Sequence, residues 1–180
     1  MGGGDYSLME RVLIRSEKGP LKEADRRYVA FRVHMEKAGF EREFAKRNRE
    51  ALRFAVQAHS VCPSTEALWL ASESGYDLED WQAVRELMNS YLAIEPVSLR
   101  AITKRGFASE NLGDSAKAID DYMRAIKLGD ALAMNRVGWF YETSRYLPRD
   151  LTKARALYEQ AAAKGNPTAK DALAKMQLID

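Results

Sequence analysis

Asp114-Ser-Ala-Lys-Ala-Ile-Asp-Asp-Tyr-Met-Arg-Ala-Ile-Lys-Leu-Gly129 and, 36 residues on, Asp150-Leu-Thr-Lys-Ala-Arg-Ala-Leu-Tyr-Glu-Gln-Ala-Ala-Ala-Lys-Gly165 decide how this chain folds. Asp114, Lys117, Ala118, Tyr122, Ala125, Gly129 and Ala133 all recur at one offset, as Asp150, Lys153, Ala154, Tyr158, Ala161, Gly165 and Ala169. Self-similarity at such a period marks a stacked-repeat architecture. Each unit has a physical reading. Asp114 and Asp150 suit the N-cap of a helix, where a carboxylate accepts free backbone N–H groups. Ala118, Ala125, Ala154 and Ala161 fall on one face, with Tyr122 or Tyr158 between them, so another helix can approach closely. Gly129 and Gly165 suit the left-handed residue that ends a helix.

A second helix precedes each of these, from Ser98 to Leu112 and from Asp130 to about Thr143. The unit is therefore a helix–turn–helix pair, and pairs must stack to bury their apolar faces. Upstream, at an offset of 34, Asp80, Val84, Met88 and Tyr91 fall on Asp114, Ala118, Tyr122 and Ala125, and Pro96 closes that weaker unit. Ser64 starts its first helix, which runs to Ser74. In the N-terminal third, Asp5 caps a short helix ending near Gly19-Pro20. Leu21, Ala24, Tyr28, Phe31, Met35 and Ala38 then form a helical stripe that Gly39 stops. Phe44, Ala51, Leu52, Ala55 and Val56 form another, ended by Cys62-Pro63. The expectation is an all-α chain of about ten helices, a right-handed α-solenoid of stacked antiparallel pairs. Residues 65–176 are the repeats, 5–63 an N-terminal helical region or cap, and 1–4 a cloning scar or disordered start.

Composition agrees. Hydrophobic residues make up 46% and charged residues 30%, enough apolar content to fold in water. The 28 basic and 26 acidic residues nearly balance. Basic residues lead in 1–60 and acidic ones in 61–100, without a one-sign block of the kind that binds nucleic acid. A single cysteine, Cys62, excludes an internal disulfide but leaves the compartment open between cytoplasm and periplasm. No apolar run reaches the length of a membrane span, so direct insertion is not expected.

Residues 133–169 resemble a Sel1-like repeat. The matching positions are Ala133, Val137-Gly138, Tyr141, Asp150, Lys153-Ala154, Leu157-Tyr158, Ala161-Ala162, Gly165 and Ala169. Two loop glycines of the family pattern are replaced by Ser144 and Tyr146. Residues 99–132 resemble the shorter TPR form through Gly106, Ala118, Tyr122 and Ala125, and residues 65–98 a degenerate TPR. The resemblance implies a scaffold or adaptor that binds another protein or peptide, with no cofactor.

Catalysis finds little support. His34 lies on the edge of a helical stripe, and His59 precedes Cys62 without a second Cys/His pair to complete a tetrahedral metal site. Gly2-Gly3-Gly4 lacks the lysine of a phosphate loop. Asp120-Asp121 and Glu79-Asp80 fit helix surfaces or first turns. A binding surface does leave a trace. In stacked pairs the first helices line the concave face, which puts Trp69, Thr103 and Asn135 in one row and Glu73, Phe107 and Trp139 in a second. Arg100, Glu110 and Glu142 flank them, and the tryptophans and phenylalanine are natural anchors for an extended peptide or partner helix. The competing reading packs Phe107 and Trp139 between repeats. Trp81 and the two repeat tyrosines are assigned to the core. Two other functions stay in view: a dedicated inhibitor or immunity-type protein that blocks one enzyme and, more remotely, a metal enzyme using His59 and Cys62.

Overall fold

The computed structural model describes residues 23–43 and 48–177, and among them the secondary structure is helical throughout. The helices are α1 (Glu23–Glu43), α2 (Asn48–Val61), α3 (Thr65–Asp77), α4 (Trp81–Ile94), α5 (Leu99–Asn111), α6 (Ser115–Lys127), α7 (Ala131–Thr143), α8 (Leu151–Ala163) and α9 (Pro167–Gln177). The helix expected to start at Asp5 lies outside the described residues, as does Phe44. The chain divides into two compact units, Met1–Pro96 with α1–α4 and Val97–Asp180 with α5–α9.

In the C-terminal unit the repeat is laid out in space. Helix α5 packs on α6, α6 on α7, α7 on α8 and α8 on α9. Each boundary has a side-chain cause. Asp114, Asp130 and Asp150 accept backbone N–H groups three residues on, at 3.3, 2.8 and 3.0 Å. Asn166 does the same for α9, at 3.0 Å. Each cap is worth about 1 kcal/mol. Gly129 and Gly165 end α6 and α8 with φ of 88° and 89°, a conformation that costs glycine nothing.

The interior is built on a small-against-large contact used twice. Gly106 on α5 faces the Tyr122 ring on α6, and Gly138 on α7 faces Tyr158 on α8. A Cβ on Gly138 would stand 2.9 Å from Tyr158 Cε1, so only glycine admits the ring. Both tyrosines are buried, as expected, and each hydroxyl finds a carboxylate on the paired helix. Tyr122 Oη donates to Glu110 at 2.9 Å and Tyr158 Oη to Glu142 at 2.6 Å. Burial, reinforced by these carboxylates, pushes both phenols well above their ordinary pKa. Asp121 departs from its expected surface position. It is 3% exposed and receives Arg105 Nε and Nη2 at 2.8 and 2.6 Å, a forked bond that ties α5 to α6. The helical period alone does not reveal it, because its partner lies on another helix.

In the N-terminal unit, α1 packs on α2 and α3, α2 on α3, and α3 on α4. Alanines make the close contacts: Ala51, Ala55 and Ala58 on α2, and Ala67 and Ala71 on α3, all with no exposed surface. Gly39 does not stop α1, which runs on to Glu43. Glycine inside a helix costs only about 1 kcal/mol. The turn beyond it is held by packing, since Arg42 Nη2 reaches Glu73 at 3.3 Å and Asp77 at 3.2 Å on α3. The buried side of α1 also differs from the stripe. Phe31, Val33 and Ala38 are inside, whereas Tyr28 is 59% exposed. Trp81 is half-buried and meets the Tyr76 ring edge to face at 5.2 Å. His59 Nδ1 accepts the Ser64 backbone N–H at 3.0 Å, which explains its place beside the α2–α3 turn without a metal.

Candidate partner-binding groove

The residues singled out for binding fall in different settings. Trp69 on α3 is half-buried and meets Tyr91 on α4 edge to face at 6.1 Å. Glu73 accepts the Arg42 bond just described. Both belong to the N-terminal unit. The remaining seven belong to the C-terminal unit. Arg100 is exposed, at the start of α5. Thr103 is 6% exposed, and its hydroxyl lies 3.0 Å from the Leu99 carbonyl and 2.9 Å from Asp130 Oδ2. It steadies the carboxylate that caps α7.

Two turns further along α5, Glu110 is buried, and its two oxygens are held from another first helix. Arg136 on α7 donates through Nε to Oε2 and through Nη2 to Oε1, each at 2.8 Å, while Tyr122 donates to Oε2. Burial works against the Arg136 charge, but the bonds and charge of Glu110 outweigh it and its pKa is raised. The Arg136 guanidinium also sits 5.5 Å from the Phe107 ring centre and 5.1 Å from that of Trp139. Phe107 and Trp139 are half-buried, so the two rings expected to stand side by side are spaced by an arginine. Sequence spacing missed Arg136. Its partner Glu110 lies 26 residues away on another helix, so no helical period links the two.

Between α7, α8 and α9 runs an open groove of about 440 Å³. From α7 it takes Asn135, Arg136, Trp139, Glu142 and Thr143. Helix α8 adds Tyr158, and α9 adds Thr168, Asp171, Ala172 and Lys175. Helix α9 was not assigned to the binding surface, yet Asp171 and Lys175 follow Asn135 and Trp139 at the same offset of 36 as the second-helix repeat. They extend both predicted rows by one helix. Asn135 is 9% exposed, and its Oδ1 is buried without a hydrogen-bond partner among the described residues. Its equivalent, Thr103, satisfies itself on Asp130. Where Asp130 stands in one repeat, the next has Asn166, whose Nδ2 instead reaches the Ala131 carbonyl at 3.4 Å. Among the described residues no three His, Cys, Asp or Glu come together to hold a metal ion.

The loop from α7 to α8 carries the departure from the repeat pattern. Ser144 adopts φ 56°, ψ 24°, the left-handed conformation that a glycine would take. Tyr146 packs its ring edge-on against Phe140 at 4.9 Å, and Phe140 has no exposed surface. The Asp150 N–H closes the loop on the Tyr141 carbonyl at 3.0 Å.

Residues 131–166 match the Sel1 repeat family model. The fold of the chain is the all-α helical-repeat fold of TPR- and Sel1-like proteins. Solved structures of the same fold include MamA, aligned with a TM-score of 0.64 at 20% identity over 78% of this chain and 81% of that one. Residues 41 to the end of MamA from Desulfovibrio magneticus RS-1 align at 0.63 and 11% identity, over 91% and 96%. A Sel1 repeat protein from Oxalobacter formigenes aligns at 0.57 and 22% identity, over 83% of this chain and 62% of that one. At such identities the likeness establishes fold. No curated protein sequence matches the chain significantly. Among the described residues no helix is long and apolar enough to cross a membrane.

Proposed function

We propose that this chain is a protein-interaction module and that the α7–α8–α9 groove of its C-terminal unit receives an extended segment of a partner protein. TPR- and Sel1-like folds are typically non-catalytic modules of this kind, and the Sel1 repeat supplies two of the groove's walls, α7 and α8, and the Asn166 cap of the third. The observation that carries the reading is Asn135. A buried amide oxygen without a partner is costly, on the order of 1–3 kcal/mol, and a ligand that satisfies it gains that much. A peptide backbone, with an N–H and a C=O side by side, pairs with a side-chain amide whichever way the amide is turned.

Around Asn135, contact roles fall to Trp139, Phe107 and Glu142, with Arg100 at the α5 edge, joined by Arg136, Asp171 and Lys175. Thr103 and Glu110 act beneath the surface, the first steadying the α7 cap and the second holding Arg136. The test is affinity capture of a partner with the full chain, followed by a binding isotherm with the purified pair. Asn135→Ala and Asp171→Ala are expected to weaken binding about tenfold or more while helical signal and melting stay in place. A partner that binds both variants as tightly as the parent chain overturns the groove assignment.

A further inference from the structure

Five side chains of the C-terminal unit alternate ring and guanidinium: Phe107, Arg136, Trp139, Arg145 and Tyr146. The Arg145 guanidinium lies 5.4 Å from the Trp139 ring centre and 5.2 Å from that of Tyr146, continuing the stack begun by Arg136. The two arginines differ in what their N–H edges do. Arg136 gives Nε and Nη2 to Glu110. Arg145 is exposed, and among the described residues no carboxylate or carbonyl accepts a bond from it.

Stacking holds a guanidinium by its faces and leaves the N–H edge directed away from the rings. That edge is a fork matched to a carboxylate. Immobilising a long side chain ordinarily opposes such a bond. Here the ladder has already restricted Arg145, and Tyr146 anchors it by packing on the fully buried Phe140. The feature also belongs to this chain and not to the repeat in general, because Ser144-Arg145-Tyr146 stands where the Sel1 pattern has Gly-x-Gly.

We propose that Arg145 determines the specificity of the groove by taking an Asp or Glu side chain of the partner segment. The proposal rests on the groove reading above and adds the chemistry of its occupant. Arg145 stacks on Trp139, which lines the groove together with Asp171 and Glu142, so a uniformly acidic segment is disfavoured. One acidic side chain at the Arg145 end, with neutral or basic neighbours towards Asn135, fits the charge pattern. With a helical rise of about 1.5 Å per residue, Asn135 and the end of α7 at Thr143 stand roughly 12 Å apart, and Arg145 follows two residues on. An extended segment covers that span in about four or five residues. Trp139 then serves as a platform for the two arginines more than as a knob inserted into the partner.

The test is selection of binders to the full chain from a random linear-peptide library, with affinities measured by fluorescence anisotropy. Selected peptides are expected to carry an Asp or Glu. Replacing it by Asn or Gln, or Arg145→Ala in the protein, should each weaken binding about tenfold or more, and the two losses should not add. Arg145→Lys should restore only part, since the ammonium keeps the charge but not the fork. Because Arg145 is exposed on a loop, melting of Arg145→Ala should match the parent, and a matching melt excludes misfolding as the cause of lost binding. Peptides without acidic residues, or acidic ones that bind Arg145→Ala unchanged, overturn the proposal. If those peptides still lose binding to Asn135→Ala, the groove reading survives. A library that yields no binder overturns both.

Discussion

Single side chains in this protein are informative where two positions place the same residue type in different circumstances. Glycine is the plainest case. Gly138 faces Tyr158 with no room for a Cβ, whereas nothing lies within 4 Å of the position a Cβ would take on Gly39. Gly138→Ala should therefore cost about 1–3 kcal/mol through overpacking. Gly39→Ala, in mid-helix, should gain about 0.5–1 kcal/mol. Thermal melts followed by circular dichroism will check both signs, and equal shifts for the two variants would contradict the packing argument. His34 supplies the pH prediction. Burial, with Lys37 nearby, lowers its pKa below the ordinary 6.5. The unfolded chain then takes up a proton near pH 6.5 while the folded chain does not, so stability contributed by neutral His34 is present above that pH and falls as pH drops below it. The midpoint of unfolding should drop less between pH 7.5 and about 5.5 in His34→Gln than in the parent chain. Glu110→Gln removes one charge from the Tyr122–Arg136 cluster and should destabilise by about 2 kcal/mol.

At the level of the element, the turns carry the strain. Glu79 and Ser144 are the non-glycine residues with positive φ among those described, at 55° and 56°. Both lie at the turn within a helix pair. Glu79 occupies the place that Gly113, with φ 77°, fills in the following repeat. Left-handed backbone costs an L-residue about 1–2 kcal/mol, partly offset by the unfolded-state entropy that glycine brings. Glu79→Gly and Ser144→Gly should each raise stability by about 0.5–1 kcal/mol. The two gains should add, because the turns share no partner. A denaturant titration of the two singles and the double will test this, and a loss of stability in either single would show that the side chain, not the backbone, dominates there.

At the scale of the whole molecule, the chain divides into two units, each compact in its own contacts. In the C-terminal unit Met134, Ala154, Tyr158, Ala161, Ala169 and Met176 pack together, and in the N-terminal unit Phe31, Ala58 and Ala67, and Ala38, Ala55 and Ala71. Near the boundary Val97 is 74% and Ile94 50% exposed. A fragment of residues 97–180 should therefore keep its helical signal and melt cooperatively, since repeat stability resides in each pair and its neighbours. A fragment that is unfolded at room temperature would show that the groove depends on the N-terminal unit.

The one-dimensional pattern determined the helical-repeat class, the helix pairs of residues 65–176, the aspartate caps and the burial of Tyr122 and Tyr158. All of these follow from local rules of capping, period and glycine geometry that a sequence displays directly. It also placed Asn135 and Trp139 on the helix that lines the groove. Tertiary structure alone decided the rest. Whether Gly39 ends a helix depends on what Arg42 meets on α3, and Asp121 becomes a buried carboxylate only because Arg105 arrives from α5. The Glu110–Arg136 pair likewise arises between residues far apart in the chain. Contacts of that kind have no period, so the repeat that reveals the fold is silent about the chemistry its surface presents.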